Sequence, residues 1–99
     1  MLPRTALIRK TLMSAMADDY ENLEHLTECV SKSLVKHKIA PLREELLQML
    51  EELTREGLAQ AYRLSPNPPY STPVSFTVAA SSQLWFYLTP DGLSLLRRE

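Results

Sequence analysis

The side chains with most chemical potential in this chain form two oppositely charged groups around one helix. Glu44, Glu45, Glu51, Glu52 and Glu56 share the outward face of a helix read over residues 42–56, together with Gln48 and Arg55. Just ahead of them Lys32, Lys36, His37, Lys38 and Arg43 cluster around a turn. Cations placed this way can neutralise nucleic-acid phosphates and release counterions. A row of carboxylates repels phosphate and suits a basic protein surface instead. Glutamate can accept a hydrogen bond from cytosine, but one such contact does not offset several uncompensated carboxylates. A solvated helix face or helix end also accounts for charge runs of this kind.

Other reactive residue types do not assemble into a site. His25 and Cys29 are four apart on a predicted helix, a spacing at which two ligands can share a metal, but a zinc centre needs three or four. No second cysteine follows, and His37 is distant, so no metal or cofactor is implied. Serine, histidine and carboxylate residues occur without a nucleophile elbow, and two glycines are too few for a phosphate-cradling loop, so no enzyme is expected. Trp85, Phe86 and Tyr87 could stack on bases. Adjacent strand residues point to opposite faces, however, so Trp85 and Tyr87 share one side and Phe86 takes the other; at least one side belongs to the core.

The elements that must position these groups follow from periodicity. Leu7, Ile8, Leu12, Ala15 and Met16 recur at helical spacing over Thr5–Ala17. Asp18 and Asp19 supply turn and capping chemistry, and a second helix runs from Tyr20 through Leu23, Leu26, Val30 and Leu34 to about Lys36. Acidic residues lead this helix and lysines end it, the polarity its dipole favours. The short link HKIA, with Ile39 buried, enters the third helix, whose first turn holds Pro41. In that helix Leu42, Leu46, Met49, Leu50 and Leu53 fall within an arc of about 100°, as a core-facing stripe requires. Gly57 stops it in a left-handed cap. Leu58–Leu64 then alternates as a strand, SPNPPYSTP (65–73) is an irregular proline-rich loop, and VSFTVA and LWFYLT are two strands that ASSQ connects as a hairpin. Thr89 caps a last helix whose first residue is Pro90.

A chain of 99 residues makes one domain spanning 1–99, and at this size it buries roughly 60–65% of its unfolded surface, so dimerisation would help it. Hydrophobic content of 44% against 23% charged residues excludes wholesale disorder. A net charge of −1 supplies no global field toward nucleic acid or anionic membrane, so any such binding is local. No apolar stretch approaches the roughly 20 residues of a membrane span, and Arg9 and Lys10 interrupt any leader-like run near the start. With one cysteine and hence no internal disulfide, the expectation is a cytoplasmic protein with no membrane partner.

The order helix, helix, helix, strand, loop, strand, strand, helix resembles the winged-helix superfamily of transcription regulators. The likeness is carried by LLQMLEELTREGL (46–58) at the end of the third helix and FYLTPDGLSLL (86–96) after the wing. It implies an α+β fold: a three-helix winged-helix core with a β wing and a short C-terminal helix. It also implies a homodimer that binds double-stranded DNA through a winged helix-turn-helix and regulates transcription. Arg43 and Gln48 would then approach bases or phosphates, and Lys32, Lys36, His37 and Lys38 would hold the backbone with Arg63 and the wing residues Asn67, Tyr70 and Ser71. Two features depart from the family pattern: the long insertion from Ser65 to Gln83 and the acidity of the third helix. They support an alternative, a degenerate winged helix that binds a protein partner through Glu44, Glu45, Glu51, Glu52 and Glu56.

Overall fold

Amphipathic helices of this length bury one stripe each, and here the buried stripes meet the inner side chains of a sheet in one core. A computed structural model describes residues 3–98. It is an α+β fold in the order α1 (Arg4–Ala15), β1 (Glu21–Asn22), α2 (Leu23–Leu34), α3 (Arg43–Arg55), β2 (Ala59–Leu64), β3 (Ser71–Val74), β4 (Trp85–Leu88) and α4 (Pro90–Arg98). The strands form one antiparallel sheet in the order β1-β4-β2-β3. No helix among the described residues is long and apolar enough to cross a membrane.

The core lies between the helices and the sheet. Ile8, Leu12 and Met16 from the first helical region, Leu26, Val30 and Leu34 from α2, and Leu46, Leu50 and Leu53 from α3 close over Ala59, Ala61, Phe86 and Leu88. Each of the larger side chains contributes about 1.5–3 kcal/mol by leaving water. The alternation in β4 divides as its period requires: Phe86 and Leu88 are buried, while Trp85 and Tyr87 are only partly covered on the outer face.

Two helix ends share one closure. At the end of α3 the Gly57 N–H donates to Thr54 O (3.2 Å) and the Leu58 N–H to Leu53 O (2.9 Å), with Gly57 at φ 77°. This is a Schellman motif, and it uses the left-handed conformation that glycine adopts without a Cβ clash. After α2 a 3₁₀ turn (Val35–His37) ends in the same way, with the Lys38 N–H on Val35 O (3.0 Å) and the Ile39 N–H on Leu34 O (3.3 Å). Here the left-handed residue is Lys38, at φ 59°. Ile39 packs partly buried against the core, which fixes where the link toward α3 begins.

Four expectations need correction. Tyr20–Asn22 is not helical: Glu21 and Asn22 pair with Phe86 and Trp85, and the Asn22 side chain accepts the His25 N–H at 2.8 Å, so Asn22 caps α2. Leu42 is not on the buried stripe but 63% exposed, because it precedes the helix, and Pro41 lies one residue further out. Ser71–Val74, Pro73 included, belongs to a strand; β3 is an edge strand, where a missing N–H is tolerated. The remainder of VSFTVA is not a strand, and β4 pairs with β2 and β1 instead of forming a hairpin with that segment.

Candidate nucleic-acid interface

Local closure of α2 fixes where the basic group sits. Lys36 and His37 lie on the 3₁₀ turn and Lys38 at its left-handed end, all exposed to solvent. Val35 beside them is 71% exposed and Leu42 is similarly open, so the α2–α3 link presents apolar as well as cationic surface. Arg43 is the first residue of α3 and lines a shallow depression with Glu24, Glu28 and Ser31. Lys32, one turn back on α2, is paired with Glu28 at 3.3 Å. Lys36, Lys38 and Arg43 have no carboxylate partner among the described residues.

The acidic face of α3 is more occupied than its sequence indicates. The Arg4 guanidinium of α1 grips the Glu45 carboxylate with both terminal nitrogens, the longer contact being 2.9 Å. The same carboxylate accepts the Leu42 N–H at 2.9 Å, one half of a capping box. The Arg4 hydrogen bond, and secondly that N–H, hold the Glu45 carboxyl down at about 2, and Arg4 is raised in turn. Arg9 bonds Glu56 at 2.8 Å, and Arg55 bonds Glu51 at 2.6 Å. Glu44 and Glu52 are left without a cation among the described residues, on either side of the exposed Gln48. All three are solvent-screened surface pairs that add little to stability, so their larger effect is to reduce the field that α3 projects.

The strand candidates divide between two directions. Arg63 lies opposite Thr72 and Ser71 opposite Leu64, so in the antiparallel register Arg63 and Ser71 face opposite sides of the sheet. Asn67 and Tyr70 are exposed in the turn between β2 and β3, which the Ser65 N–H closes on Tyr70 O at 2.9 Å. The Ser71 hydroxyl lies 3.2 Å from that of Tyr20. Tyr20 in turn meets Tyr62 and Tyr87 edge to face, with ring centroids 5.0 and 5.1 Å away. Burial, and then the two neighbouring tyrosines, raise the Tyr62 hydroxyl above its ordinary value. Ser71 is thereby committed to the aromatic outer face, away from Arg63.

His25 forms a chain of contacts on the exposed side of α2: its Nδ1 meets Glu21 and its Nε2 lies 3.5 Å from Cys29 Sγ. No group of three or more histidine, cysteine, aspartate or glutamate side chains among the described residues is placed to hold a metal.

Periodicity could not supply the residues that tertiary contact brings together. Lys10, Thr11 and Ser14 of α1 meet Ser33, Lys36 and His37 at a depression floored by Leu7 and Leu34. The only sequence signal was that Lys10 and Ser14 are four apart on the first helix and so share a helix face. Arg4 and Arg9 likewise gave no sign that they would reach α3. Compared with known proteins, the chain matches no family model, no curated protein and no solved structure.

Proposed function

We propose that the chain is a DNA-binding transcription regulator of the winged-helix kind, acting in the cytoplasm as a homodimer. In this arrangement α2, the Val35–Leu42 link and α3 form the helix-turn-helix, the β2–β3 hairpin and β4 form the wing, and α1 buttresses α3. One observation carries the proposal: Lys36, Lys38, Arg43 and Arg63 are exposed without carboxylate partners, whereas Glu45, Glu51 and Glu56 are engaged by arginines of the same chain. The repulsion that α3 would exert on a phosphate backbone is therefore weaker than its composition suggests. Lys36 and Lys38 lie on the link and Arg43 at the start of α3, the part of a helix-turn-helix that approaches duplex, and Arg63 lies on β2.

Arg43 fits this role at a cost to the fold. A cation in the first turn of a helix opposes the macrodipole by about 0.3–1 kcal/mol, a cost that phosphate contact would offset.

The test is fluorescence anisotropy with mixed-sequence duplex across a salt series, with light scattering for oligomeric state. Four phosphate-facing cations give a log–log salt slope of about −3 to −4 per protomer. Lys36→Glu with Lys38→Glu should abolish binding, and Glu44→Lys with Glu52→Lys should leave it unchanged or strengthen it. Absence of duplex binding at low salt defeats the proposal. It would return attention to the acidic helix as a protein-docking surface, for which Glu44 and Glu52 are the side chains left without an internal cation.

A further inference from the structure

We propose that the depression between α1 and the end of α2 is a phosphate-binding site, built from Ser14, Ser33, Lys36 and His37 with Lys10 on its rim. The source of the phosphate rests on the DNA-binding proposal above; the site itself does not.

The lining is what carries this inference. Other depressions on the surface include carboxylates: Glu51 in one, Glu24 and Glu28 in another, Glu45 and Glu52 in a third. Among the described residues the α1–α2 depression has none, and it presents Lys36, His37 and three hydroxyl side chains over Leu7 and Leu34, with Lys10 at its edge. The Thr11 hydroxyl is spent, since it donates to Leu7 O at 2.8 Å. Ser14, Ser33, Lys36 and His37 make no side-chain hydrogen bond or ion pair among the described residues, so their donors are available. Several N–H and O–H donors with no carboxylate among the described lining residues suit an anion with several acceptor oxygens, and phosphate meets that description.

A helix C-terminus ordinarily repels an anion through its free carbonyls. At this end two of them are occupied: Leu34 O accepts from Ile39 and Val35 O from Lys38 in the left-handed closure. That closure also fixes the position from which Lys36 and His37 project. Ser14 and Lys10 enter from a different helix, so the site exists only once α1 has packed on α2.

The experiment is an NMR titration of the full chain with inorganic phosphate, with sodium chloride at matched ionic strength as control, followed by a short mixed-sequence duplex. Phosphate should produce saturable shifts at Ser14, Ser33, Lys36 and His37 that chloride does not. Lys36→Gln should weaken phosphate binding about tenfold, as expected for one charge-assisted hydrogen bond. If duplex moves the same resonances, the phosphate is one of the DNA backbone and α1 extends the interface. If phosphate binds and duplex does not, the site stands as one for free phosphate or a phosphate monoester and the DNA proposal falls alone. The absence of a saturable phosphate effect beyond chloride overturns the site, whether or not duplex binds elsewhere.

Discussion

Replacing Gly92 with alanine tests how α4 is held against the end of α3. Gly92 is in the first turn of α4, where helix propensity alone favours alanine by up to about 1 kcal/mol. A Cβ at this position would lie 2.0 Å from the Leu58 carbonyl oxygen and 3.0 Å from its carbon. Ordinary contact begins near 3.4 Å, so α4 would have to withdraw by more than an ångström from a backbone group that cannot rotate away. The withdrawal strains three linked hydrogen bonds. Thr89 donates its N–H to Leu58 O (3.1 Å) and its hydroxyl to Gly57 O (2.6 Å), and that hydroxyl accepts the Gly92 N–H at 3.1 Å as the cap of α4. At about 1 kcal/mol each, their loss costs about 3 kcal/mol. Set against the propensity gain, Gly92→Ala should destabilise the fold by about 2 kcal/mol, which lowers the melting midpoint by about 8–16 °C for a domain of this size. Gly57→Ala is the internal control. Nothing lies within 4 Å of its added Cβ, so only the left-handed backbone is penalised, by about 1 kcal/mol. Urea and thermal unfolding followed by circular dichroism measure both variants. A Gly92→Ala protein as stable as the parent, or less affected than Gly57→Ala, would refute the contact as the reason for glycine there.

Two further outcomes are expected. Lys38→Gly should raise stability by about 0.5–1 kcal/mol, because glycine adopts the left-handed closure that Lys38 occupies at φ 59° without the Cβ penalty; a fall in the unfolding midpoint contradicts this. Glu45→Gln keeps an acceptor for the Leu42 N–H but removes the charge that Arg4 binds. Because the folded Glu45 carboxyl sits at about 2, below the ordinary 4.5, its contribution is present in full above 4.5 and is lost as the pH falls toward about 2. The stability gap between parent and variant should close across that interval, and a gap independent of pH would show that Arg4 does not hold the carboxylate in solution.

Much of the local structure could be read from side-chain type and spacing, since it depends on interactions within a few residues. The glycine-closed end of α3, the Thr89 cap and Pro90 start of α4, and the alternation of Trp85, Phe86 and Tyr87 all appear in the fold because capping, φ preference and strand period are local. The Lys36–Lys38 group was equally legible, being contiguous in the chain. Where local preference was weak, tertiary pairing decided. Glu21 and Asn22 left the helical pattern to bond with β4, and Ser71–Val74 became an edge strand on β2 despite its proline. The charges show the same division. Sequence determines that α3 carries a row of glutamates, but Arg4 and Arg9 reach two of them from more than 40 positions away. Ser14 and His37 share a depression only because α1 lies on α2. Electrostatic fields and binding surfaces depend on distance in space, and for these residues that distance is set by the packing of one helix on another.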